Sequence, residues 1–160
     1  MTALSDYLEP GLLHHVFRGQ EFPKLSGVAI ALCSGVPSES DDGSTIPELP
    51  SGIDNQDTGY RRYNLGAPND TTGGQASGDY YWEYNISDHN AGNGLIKNDL
   101  TLLFDTALLD WGWVSGIAIV DSGNYGVGNL LMYSELNNPR IIYQGDSVKF
   151  DSTTLQIKFK

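Results

Sequence analysis

Val28-Ala-Ile-Ala-Leu-Cys33, closed off by Gly27 and Gly35, is a short apolar run with no polar side to turn outward. A run of that length between glycines predicts a β-strand buried on both faces. Trp113-Val-Ser-Gly-Ile-Ala-Ile-Val120 has the same character. Further β-like runs lie at 60–65, 80–86, 100–104, 130–133, 141–143, 147–150 and 154–159, separated by Gly, Asn, Asp or Pro clusters. Those residues supply the positive φ angles and side-chain turns that join strands. The pattern predicts a mainly β protein, a jelly-roll-like or sandwich domain of about eight short antiparallel strands spanning 1–160. Its last strand alternates, with Leu155, Ile157 and Phe159 facing the core and Gln156, Lys158 and Lys160 facing water.

Two segments stand apart from this β pattern. Around residues 9–18 a helix is expected: Pro10 suits a first helical position, Leu12, Leu13, Val16 and Phe17 share one face, and Gly19 can stop it. That face should lie on the core or on a partner. Residues 35–59 are a different matter, with Pro37, Pro47 and Pro50, six acids and no base among 25 residues. No regular element is readable there, and a structureless loop of that length in a compact domain is usually functional or disordered. Within it Ile46-Pro-Glu-Leu-Pro50 favours an extended conformation with Ile46 and Leu49 as apolar anchors. The segment is expected either to reach another subunit as an arm, with Ile46, Pro47, Leu49 and Pro50 in contact, or to be a solvated excursion.

Composition narrows the function. With 9 Lys+Arg against 20 Asp+Glu, the 160-residue chain carries a formal charge of −11. Such a surface repels phosphate backbones, so no nucleic-acid partner is expected. The stretch 139–160 runs against this trend, with four bases and two acids. It reads as solvated strand faces, or as an end that docks on an acidic neighbour. No apolar run approaches the roughly 20 residues that span a bilayer, so no membrane partner is expected either. The beginning of the chain does not read as a secretory signal, and the single Cys33 fits assembly in a reducing cell.

Signals for chemistry are weak. Asp57-Thr-Gly59 and Asp121-Ser-Gly123 evoke a paired-carboxylate protease, and only Asp121 follows an apolar strand, which leaves a homodimeric hydrolase using Asp121 as a remote reading. A strand ending in a turn is the plainer one. His14-His15 are adjacent and do not share a helix face, and His89 has no neighbouring ligand at zinc-like spacing. The string from Asp54 to Gly59 lacks the alternating ligands and terminal Glu of a calcium loop. Cys33 lies in an apolar run and reads as an inert buried thiol. Gly123-Asn-Tyr-Gly126-Val-Gly128 is followed by a strand, not the helix a phosphate cradle needs, and reads as a hairpin loop. Asn69-Asp-Thr71 and Asn85-Ile-Ser87 match the glycosylation pattern. Tyr80-Tyr-Trp-Glu-Tyr84 suits an interface or sugar stacking. No catalytic residue, metal or cofactor is expected.

The specific strings lie mostly in the second half: Asp110-Trp-Gly-Trp-Val114, Ile117-Ala-Ile-Val-Asp121, Gly128-Asn-Leu-Leu-Met-Tyr133, Pro139-Arg140, Gly145-Asp-Ser-Val-Lys-Phe150 and Leu155-Gln-Ile-Lys-Phe159. With the leading helix, the strand from Val28 and Gly59-Tyr-Arg-Arg62, their order resembles small bacteriophage virion proteins, often labelled tail-fibre-like, and related capsid decoration proteins. The resemblance implies a non-enzymatic virion component assembled in the host bacterial cytoplasm. Its first expectation is a decoration or cement protein that binds the major capsid protein as a homotrimer; the alternative is a tail-fibre or tail-tip subunit touching host-surface sugars. Trp111 and Trp113 flank Gly112 at a strand entrance, and alternation would put both on one face. There they would plug the core's end or form an oligomer seam.

Overall fold

The computed structural model describes residues 3–68, 82 and 95–158, and it is mainly β. Strand β1 (Ala3–Leu4) precedes helix α1 (Leu8–Arg18), and β2 (Val28–Cys33) follows. Then come β3 (Gly52–Ile53), β4 (Gln56–Asp57), β5 (Tyr63–Gly66), β6 (Leu95–Lys97) and β7 (Leu102–Leu103). The chain continues through β8 (Gly112–Val120), β9 (Leu130–Ile142), β10 (Lys149–Phe150) and β11 (Gln156–Lys158). An antiparallel five-stranded sheet in the order β1-β9-β8-β2-β5 forms the centre, and β10-β7, β11-β6 and β3-β4 are separate two-stranded pairs. The expected runs at 80–86, apart from Trp82, and Asn69, Asn85 and His89 lie outside the described residues, as do Phe159 and Lys160.

Both faces of β2 are buried, as its uniform apolarity predicts. Alternation divides it: Ile30 and Leu32 enter a core with Tyr60, Phe104, Trp111 and Val114. On the other face Ala29, Ala31 and Cys33 join Ala118, Val120 and Leu130. Side chains this small leave room for a backbone segment close to the sheet, and part of 35–59 supplies it.

Strand β9 runs unbroken through Asn137-Asn138-Pro139, where a break between two short strands is expected from the sequence. Val114 pairs with Arg140 and Gly116 with Glu135, so residues 136–139 oppose Ser115 alone. An irregularity of this kind is where a sheet accepts proline, because its missing N–H falls outside the ladder.

Helix α1 begins one residue before its expected start and ends on Gly19, whose φ of 65° provides the left-handed cap. Its first turn is well anchored. Leu8 is buried, the Ser5 hydroxyl donates to the Leu130 carbonyl, and Tyr7 meets Phe22 edge-on at 6.2 Å. A Cβ at Gly11 would collide with the Phe22 ring. Beyond this turn, of the core or partner contact expected, no core contact is made among the described residues: every residue from 12 to 21 is exposed, including Leu12, Leu13, Val16 and Phe17.

Candidate functional site

Part of residues 35–59 is docked on the chain's own sheet. The Ser34 amide donates to the Pro47 carbonyl at 2.8 Å and the Leu49 amide to the Leu32 carbonyl at 3.0 Å. Glu48 thereby bridges Cys33 in antiparallel register. After a bend at Ile46, where the Glu48 amide donates to the Ile46 carbonyl at 2.6 Å, the stretch from Pro47 runs beside β2 and lengthens the sheet edge beyond β5. Ile46 and Leu49 are buried in the chain's own core. Gly43 packs so closely that a Cβ there would run into the Val127 carbonyl.

The fastening is Arg62, whose side chain is wholly buried. Nε donates to Glu48 Oε1 at 2.8 Å and Nη2 to Glu48 Oε2 at 2.7 Å. Nη2 also donates to the Gly43 carbonyl at 2.8 Å, and Nη1 to the carbonyls of Ser122 and Val127 at 3.0 and 2.7 Å. All five guanidinium N–H groups thus have acceptors, as a buried arginine requires. Tyr60 adds a further tie: its hydroxyl donates to Glu48 Oε1 at 2.9 Å and accepts from the Leu32 amide at 3.0 Å. Burial, reinforced by the Glu48 charge, pushes the Tyr60 phenol well above its ordinary range, so it stays protonated and able to donate. The network joins β2, β5, the acidic segment and the loop at 121–129.

Sequence reasoning did not single out Arg62 or Glu48. A usable signal exists, since a 25-residue segment with six acids and no base is followed almost at once by Arg61-Arg62. Arg61 takes the outer role, pairing with Asp57 at 2.7 Å in solvent and holding that carboxyl below its usual value.

The two tryptophans separate. Trp111 is 4% exposed, edge-on to Tyr60 at 5.4 Å, and donates Nε1–H to the Thr58 carbonyl at 2.8 Å. Trp113 is 51% exposed opposite Ile141, which is exposed as well. Gly112 between them has φ of 80°, a left-handed conformation that breaks the alternation placing both rings on one face. Of the six residues expected to meet a partner, Ile46, Leu49 and Trp111 serve the core, Pro47 and Pro50 are half-buried, and Trp113 faces solvent.

Reactive constellations resolve into turns. Asp121 accepts the Asn129 amide at 2.6 Å and its side-chain Nδ2 at 2.7 Å, closing the loop between β8 and β9. Asp54 and Asn55, at φ of 50° and 64°, form the tip of the β3-β4 hairpin. Cys33 is buried, and desolvation pushes its thiol up to about 12, so it is no nucleophile at neutral pH. Among the described residues no group of three His, Cys, Asp or Glu side chains converges on a metal position. No helix among them is long and apolar enough to cross a membrane.

Among the described residues, two surfaces have apolar side chains open to a partner or ligand. One is the outer face of α1. The other is an open groove of about 440 Å³ between β8-β9 and the segment 148–157. Leu136 and Phe150 give it apolar walls, and Asn137, Asn138, Arg140 and Gln156 give it polar ones. The β9 irregularity presents Asn137, Asn138 and Arg140, which have no side-chain partner among the described residues.

A protein-family model described as podophage GP4 fiber I protein gp80 matches residues 3–158. No curated protein matches the chain.

Proposed function

We propose, from the premise that this chain belongs to the podophage GP4 fiber I protein family, that it is a non-enzymatic subunit of a fibre on the virion. The observation that carries this reading is the match across nearly the whole chain to a family described as a fibre. A phage virion structural role is common to this reading and to capsid decoration; the family description favours the fibre.

The chemistry fits a passive component. Asp121 and Asp57 are occupied in turns, Cys33 is buried, and the charge of −11 disfavours contact with packaged DNA. For host contact the β9 groove has suitable chemistry: amides and a guanidinium that hydrogen-bond hydroxyls, over apolar walls that stack on a sugar ring. Its ligand class in this reading is a host-surface saccharide.

Imaging purified particles labelled on this chain tests the assignment. The expected result is a few copies at the tail; hundreds of copies spread over the shell would overturn it. Adsorption tests the groove, since particles carrying Asn138→Ala with Arg140→Ala should bind host cells less well than the parent. Unchanged adsorption would remove the groove from the account.

A further inference from the structure

We propose that the β9 groove takes an acidic saccharide, one whose sugar carries a carboxylate or a phosphate, and that Arg140 is the residue that selects for the charge. The inference rests on the saccharide reading of that groove and deepens it.

Residues directly opposite one another in neighbouring antiparallel strands share a face of the sheet. Arg140 pairs with Val114, which belongs to the core formed with Ile30 and Leu32, so the guanidinium stands on the groove side. Glu135 also borders the groove, but it pairs with Gly116 and through it with Cys33, on the face that carries Ala31 and Ala118. Its carboxylate therefore turns to the other side of the sheet. The third charged residue of the lining is Lys149, an exposed base at the rim whose ammonium meets Asp151 at 2.9 Å. Gln156 on β11 lies opposite Lys97 and two residues before Lys158, so alternation adds two more bases to the strand face that edges the groove.

Charge complementarity identifies the occupant. In a chain of −11, no carboxylate of the lining points into this groove, and Arg140, unlike Arg61 and Arg62, has no acid beside it among the described residues. A guanidinium offers two parallel N–H donors that match the two oxygens of a carboxylate or phosphate, a fit that a neutral hydroxyl does not reproduce. Asn138 and Gln156 then have amides for the hydroxyls of the same sugar, and Leu136 and Phe150 apolar surface for its ring.

An array of immobilised oligosaccharides, some neutral and some bearing uronic acids or sugar phosphates, tests this with the purified full chain. Wild type should be retained on acidic spots in preference to neutral ones. Arg140→Gln should weaken retention on acidic spots by about tenfold or more, as expected for the loss of a charge-assisted hydrogen bond, and leave neutral spots and the circular dichroism unchanged. Retention on uronic acids alone or on phosphates alone supports the proposal and tells which anion the groove takes. Equal retention on neutral and acidic spots, or an Arg140→Gln chain that keeps the preference, would overturn the charge selection and leave the saccharide reading standing. Wild type retained on no spot would overturn both.

Discussion

The acidic segment and helix α1 exchange the places their sequences suggest. Residues 35–59 are polar, proline-broken and charged, yet they lie on the sheet with Ile46 and Leu49 inside. Helix α1 has a regular apolar stripe and ends in a proper glycine cap, yet that stripe faces water. Apolar spacing tells which residues will be covered, not what covers them. For the loop the cover is settled by one long-range pair, Arg62 with Glu48, and by the small side chains of β2. For α1 nothing within the described chain provides it.

The largest test of this contrast removes the fastening. Arg62→Ala strands a buried carboxylate and three carbonyls, and should cost about 3–5 kcal/mol in urea unfolding. The acidic segment should become open to proteolysis; a loss below about 1 kcal/mol would show that it docks without the arginine. Next is Tyr60→Phe, which leaves Glu48 and the Leu32 amide each short of a partner, for about 1–3 kcal/mol. Gly112→Ala comes third: a side chain in a left-handed conformation costs about 1–2 kcal/mol, and relieving it would turn Trp111 out of the core. Tryptophan emission shifted to the red would report that turn, and an unshifted spectrum at full stability would contradict it.

The smallest effect is expected in acid. Asp57 and Asp42 are held below the ordinary 3.8 mainly by hydrogen bonds, from Arg61 and Ser44 respectively. Their contribution is complete above that value and is lost as pH falls through the lowered folded one. Both are exposed, so Asp57→Asn should flatten the acid limb of the stability curve only slightly and leave the neutral region unchanged. A large loss at neutral pH would mean that the outer Arg61 pair, and not Arg62, holds the segment.

What was legible from sequence follows the range of the interactions. Strand β2, the β8-β9 hairpin loop and α1 with its glycine stop depend on local pattern and were readable from Val28-Ala-Ile-Ala-Leu-Cys33, 123–128 and Gly19. Strand β9 misled because Asn137-Asn138-Pro139 has the composition of a turn, and only pairing with β8 keeps it extended. The tryptophans misled because alternation assumes negative φ throughout, which Gly112 does not obey. Arg62 was hidden because its five acceptors come from Gly43, Glu48, Ser122 and Val127, up to 65 residues away.

One image tests the fibre assignment together with the docked acidic segment: the virion at a resolution that traces this chain. The expected result is density at the tail fibres, with each 35–59 segment folded on its own sheet. Copies on the capsid shell, or acidic segments that cross between chains, would contradict it.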